Sequence, residues 1–76
     1  MGAIKFRAGT TVYQVVSTGM AFRGTVIRQV AHRCHVRWTD KRRRGQTDWE
    51  KLEKGPIVRG RDLVENLTSI EPEVRP

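Results

Sequence analysis

The sequence predicts a mostly-β fold, a small barrel or sandwich of short strands, and three observations carry that expectation. Nine valines and four isoleucines stand against three leucines, with seven threonines beside them. Such β-branched side chains suit a pleated surface better than a helix. Glycines at 2, 9, 19, 24, 45, 55 and 60 punctuate short apolar runs, which leaves strand-sized segments between turns. The 76 residues suffice for one compact domain, in which folding hides only about 60 % of the surface of the extended chain.

Residues 11–16 form the first expected strand, and 17–22, containing Gly19, a loop. The second strand is expected over 24–31. Val26, Ile27 and Val30 do not alternate there, so a bulge or strong bend is expected. Residues 33–39 alternate well: His32, Cys34, Val36 and Trp38 fall on one face, and Arg33, His35, Arg37 and Thr39 on the other. A basic turn follows over 40–45. Two readings of the return stay open. Thr47-Asp48-Trp49-Glu50 matches a helix capping box with Gly55-Pro56 as its stop, giving one or two helical turns over 48–54. A hairpin through 41–45 would instead need a fourth strand over 46–51. Residues 57–61 read as a polar loop or short strand. Asp62 is placed to cap a single turn over 63–67, and 68–71 returns through Ile70 as a closing strand. The organisation is then a loose basic arm over 1–8, one domain over 9–71 and a tail over 72–76, where Pro72 and Pro76 end regular structure.

Composition excludes several classes of function. Hydrophobic residues make up 37 % and charged residues 30 %, which fits a folded chain and not a disordered one. No apolar run approaches the roughly 18 residues of a membrane span, and the first 25 residues lack a secretory apolar core. A cytoplasmic protein with no membrane partner is therefore expected. One cysteine, Cys34, rules out an internal disulfide and suits a reducing compartment as a small buried hydrophobe. His32, Cys34 and His35 are too compact for a structural zinc site. Paired carboxylates, a lysine-bearing phosphate loop and a serine elbow are all missing. No enzyme, cofactor or metal is expected.

Charge carries the functional signal. Lys and Arg number 15 against 8 Asp and Glu, a net +7. Residues 1–46 hold ten basic side chains and one acid, Asp40, whereas residues 47–76 hold five basic and seven acidic ones. An excess so placed favours a polyanion, most simply DNA or RNA, and arginine presents a planar fork of donors to phosphate. The candidate binding residues are the run Lys41, Arg42, Arg43 and Arg44 with Arg33 and Arg37 on the neighbouring strand. Arg23 and Arg28 extend the surface, Lys5 and Arg7 sit on the basic arm, and His35 shares the face of Arg33 and Arg37. Trp38 aligns with the core positions. Trp49 has two roles open to it, closing the core or stacking on a base; Tyr13 and Phe22 are read as core or rim.

Several short motifs carry a family likeness: Gly9-Thr10-Thr11-Val12, Gly24-Thr25-Val26, Val36-Arg37-Trp38-Thr39-Asp40, Trp49-Glu50, Glu65-Asn66-Leu67 and Ile70-Glu71-Pro72. Over about residues 9–72 the chain resembles the SH3-like small barrels, in particular the KOW, Tudor and chromo-type group. The resemblance implies a barrel of about five strands with one or two short helical turns near the C-terminus. It also implies binding of RNA, DNA or protein. The expected function is nucleic-acid binding by a monomer or small homo-oligomer, as an accessory or regulatory factor of bacterial or bacteriophage type. The alternative is a protein-interaction module: a methyl-lysine reader using Trp38 and Trp49, or an adaptor docking on an acidic protein surface.

Overall fold

The computed structural model describes residues 5–55 and 58–73. Four strands follow in order: β1 (Thr11–Ser17), β2 (Met20–Val30), β3 (Arg33–Arg42) and β4 (Val58–Leu63). They form one antiparallel sheet in the order β1-β2-β3-β4. Two 3-10 turns, Glu50–Leu52 and Val64–Asn66, complete a mostly-β chain. Among the described residues no helix is long and apolar enough to cross a membrane.

Strand lengths depart from expectation at two places. The 17–22 loop contracts to the turn Thr18–Gly19, and β2 starts at Met20. Gly19 supplies the positive φ of 79° that a tight hairpin needs, and Ala21 is thereby buried against Trp49. β3 runs on through Asp40, Lys41 and Arg42, so residues 40–42 are strand and not turn. Its partner is β4 and not a strand over 46–51. The intervening segment forms only the 3-10 turn over Glu50–Leu52. There Asp48 Oδ1 accepts the Glu50 N–H at 3.1 Å, and no side chain caps the first residue in the expected box.

The break in β2 alternation is a bulge. Val26 pairs with Val36 and Arg28 with His35, which leaves Ile27 extra. A second irregularity lies on β3: Arg23 pairs with Asp40 and Gly24 with Trp38, which leaves Thr39 extra. After β4, Asp62 Oδ1 accepts the Leu63 N–H at 3.0 Å, ahead of the second 3-10 turn. The expected closing strand is a single bridge. Tyr13 N–H donates to the Thr68 carbonyl at 2.8 Å, and Thr68 N–H donates to the Tyr13 carbonyl at 3.0 Å. Ile70 is 76 % exposed and adds nothing to the core.

The core follows the inward faces. Val12, Val26, Cys34, Val36, Val64 and Leu67 form the main cluster, with Phe6 and Trp38 packed against it. Complete burial of each valine contributes about 1.5–3 kcal/mol. His32, expected on that face, lies exposed in the β2–β3 turn. Residues 1–4 of the expected arm and 74–76 of the expected tail lie outside the described residues. Phe6, by contrast, is held: its N–H donates to Gln29 Oε1 at 2.9 Å. A second cluster joins Ala21 and Trp49, with Tyr13 against it.

Gly24 makes room for Trp38. A Cβ there would lie 2.6 Å from Val36 Cγ1 and 2.7 Å from Trp38 Cε3. Gly24→Ala should therefore lower the free energy of urea unfolding by about 1–3 kcal/mol through overpacking. Gly55→Ala, whose Cβ would meet nothing within 4 Å, should change it by less than about 0.5 kcal/mol.

Candidate nucleic-acid interface

Strand alternation sends Arg33 and Arg37 outward from β3, exposed, with a half-buried His35 between them. Both neighbouring strands add cations at matching positions. His35 stands between Arg28 of β2 and Arg61 of β4, and Arg37 faces Arg59 of β4. Directly opposed side chains have Cβ atoms about 4.5–5.5 Å apart, and like charges so placed are destabilising. No carboxylate among the described residues pairs with Arg28, Arg33, Arg37, Arg59 or Arg61; the ion pairs lie elsewhere. Arg28, Arg33, His35 and Arg61, together with Val30, line a cavity of about 340 Å³ on this face.

Arg59 and Arg61 were missed at the sequence level. Their signal is the two-residue spacing of Arg59-Gly60-Arg61, which puts both on one strand face. Reading 57–61 as a polar loop or short strand hid it, as did the net negative charge of the C-terminal portion.

The run 41–44 divides after the Thr39 bulge has reversed the alternation. Lys41 is exposed on the side of its register partner Phe22. Arg43 and Arg44 are exposed in a tight turn, where the Arg43 N–H donates to Gln46 Oε1 at 2.9 Å and the Gln46 N–H to the Arg43 carbonyl at 2.9 Å. Arg42 turns inward and is only 8 % exposed. Its Nη2 donates to the Pro72 carbonyl at 3.2 Å and its Nη1 to the Thr47 carbonyl at 3.4 Å. Glu71 lies 3.6 Å from Nη1. Arg23 is likewise committed, paired with Asp40 at 3.4 Å and with Glu53.

Both guanidiniums cover Trp49. Arg42 Cζ is 4.5 Å and Arg23 Cζ 5.3 Å from the ring centroid. The indole N–H donates to Glu71 Oε1 at 2.7 Å, and the Tyr13 ring packs at 6.0 Å. At 6 % exposure Trp49 closes the second core cluster and offers no open stacking face. It also belongs to a different cluster from Trp38. Of the ten predicted site residues, Arg28, Arg33, His35 and Arg37 thus share one face. Lys41 lies past the Thr39 bulge on the side of Phe22 and Trp38, Arg43 and Arg44 follow in the turn, and Arg23, Arg42 and Trp49 form a largely buried network.

Among the described residues two titratable groups are shifted, both by burial. The Cys34 thiol is pushed up and donates to Gln29 Oε1 at 3.6 Å, which keeps it a protonated core residue. Burial also raises the Asp40 carboxyl above the usual carboxylate range, only partly offset by Arg23 and Arg42. No group of three or more His, Cys, Asp or Glu side chains suited to a metal occurs among the described residues. No protein-family model matches the chain, and no curated protein or solved structure is significantly similar to it.

Two outcomes follow from this network. An acid whose pKa is higher folded than unfolded weakens the fold once it ionises. Asp40→Asn should therefore exceed the wild-type melting temperature at neutral pH. The gap should close as pH falls through the raised pKa toward the ordinary value of 3.8. Separately, Arg42→Ala should cost about 1–3 kcal/mol in urea unfolding, since it removes a buried side chain that packs on Trp49 and donates to the part-buried Thr47 and Pro72 carbonyls, whereas Arg43→Ala should stay within about 0.5 kcal/mol.

Proposed function

We propose that this chain binds nucleic acid by gripping phosphates with the outer face of β2, β3 and β4, as an accessory or regulatory factor that catalyses no reaction. One observation carries the reading: five arginines and a histidine occupy adjacent and directly opposed positions on one sheet face, and none of the arginines pairs with an acid among the described residues. Such an array weakens the free protein, so a polyanion is the partner that turns the cost into affinity. Guanidinium forks match phosphate oxygens, and binding to a phosphate backbone releases counterions. The cavity beside His35, about 340 Å³, is a natural seat for one phosphate.

The fold reading is consistent with this role. The four-stranded meander, the 3-10 turn after β4 and the Thr68 bridge to β1 support an SH3-like barrel of about five strands, with residues 68–71 at its seam. A lone buried Cys34 fits work in a reducing cytoplasm. An acidic protein surface would answer the same charge. Nucleic acid is the better fit because the cations run along strands as a row, as a phosphate backbone does.

The test is a titration of labelled single-stranded and duplex oligonucleotides at about 50 and about 200 mM salt. Replacing Arg37 and Arg61 by threonine should flatten the slope of log K against log salt by roughly 1.4–1.8, two phosphates' worth. The melting temperature should hold or rise slightly, because opposed like charges are removed. A wild-type protein that binds neither strand form at about 50 mM salt would refute the proposal.

A further inference from the structure

We infer that the groove at the Lys41 end of β3 receives one unpaired nucleobase, so that single strands are bound in preference to duplex. The inference rests on the phosphate-binding reading above and assigns it a substrate class.

A cavity of about 690 Å³ opens between the end of β3 and the segment carrying the first 3-10 turn. Its apolar walls are Phe22, Trp38 and Leu52, its rim carries Gln14, Lys41 and Arg43, and Asp40, whose carboxylate is paired with Arg23, also lines it. The bulge at Thr39 creates it. Strict alternation would hide Trp38 and show Thr39 and Lys41, yet with one extra residue all three line a single groove. Bulges commonly re-aim a side chain beside a functional site. The Phe22 and Trp38 rings are 6.0 Å apart and tilted at 55°, a splayed pair and not a closed stack. Trp38 is fixed from beneath: a Cβ on Gly60 would lie 3.2 Å from its Nε1, and one on Gly24 2.7 Å from its Cε3. The indole is therefore held in place before any ligand arrives, at little ordering cost on binding.

The rim selects the occupant. Lys41 and Arg43 repel a methylammonium or any other cationic side chain, and they attract the phosphates on either side of an inserted base. The Gln14 amide offers both a donor and an acceptor to a base edge. A base inside a duplex shows only its edges, so its flat face reaches Trp38 only when it is unstacked. Past the Thr39 bulge Lys41 shares the sheet side of Phe22 and Trp38, so β3 carries the arginine row on one face and this groove on the other.

The experiment compares an oligothymidylate of about 12 nucleotides with an abasic chain of equal length and charge, an oligouridylate and a duplex. Oligothymidylate and oligouridylate should quench tryptophan emission and bind at least about fivefold more tightly than the abasic chain, the low end of base–aromatic stacking. Trp38→Phe, which keeps a ring over the two glycines, should abolish the quench. Phe22→Leu should bring the thymidylate affinity down to that of the abasic chain and leave abasic binding unchanged; it decides the matter if Trp38→Phe does not fold. Equal binding of thymidylate and abasic chains without quenching would overturn the groove and leave the phosphate reading standing, as would tighter binding of duplex. No binding of any chain at about 50 mM salt would overturn both.

Discussion

The two-residue alternation of β3, locked by pairing on both sides, is the constraint on which the molecule turns. Cys34 and Val36 go into the main core because Val36 lies between Val26 and Gly60. Arg33, His35 and Arg37 then have no choice but to face out. A slip of one residue would exchange the two sets. Magnitudes decide which set governs. Each buried valine contributes about 1.5–3 kcal/mol, whereas an opposed pair of like charges costs about 0.2–1 kcal/mol. Inward packing wins, and the fold carries a repulsive outer face as a consequence.

Cations in this chain have two fates. Arg42 and Arg23 serve as planar donors inside the structure. Arg42 alone ties the strand end to Thr47, to Glu71 and to the Pro72 carbonyl while lying over Trp49. A lysine has no flat fork with which to do this. Two arginines are thereby withdrawn from the basic N-terminal portion, while Arg59 and Arg61 arrive from the acidic C-terminal portion. The positive field sits on the sheet face more than on the turn, although the longest run of cations in the chain is 41–44.

What could be read in advance was whatever a local period reports. The alternation of 33–39 and the broken alternation at Ile27 are short-range patterns, and β3 and the β2 bulge lie there, whereas the loop expected over 17–22 is a two-residue turn at Thr18–Gly19. Arg42 and Trp49 were opaque because their partners are distant. Pro72 is 30 residues from Arg42, and Glu71 is 22 from Trp49. A run of four basic residues carries no mark of which one turns inward until the length of β3 is known. β4 was hidden for a related reason: Arg59 and Arg61 alternate with Gly60 and Asp62, so the segment lacks an apolar stripe and gains its place by pairing with β3.

Rigidity governs what the arginine face can do. Arg28, Arg33, Arg37, Arg59 and Arg61 all spring from hydrogen-bonded strands, so a ligand orders side chains and not backbone. Each long side chain costs about 0.5–1.5 kcal/mol to immobilise, and a backbone residue fixed from a loop adds about 1–2 kcal/mol more. Spacing along β3 is set at about 3.3 Å per residue, which makes the distance from the arginine row to the Trp38 groove a property of the sheet. Along β3, the bulge at Thr39 is where the chain departs from that ruler. It does so where aromatic side chains replace arginines as what the surface presents.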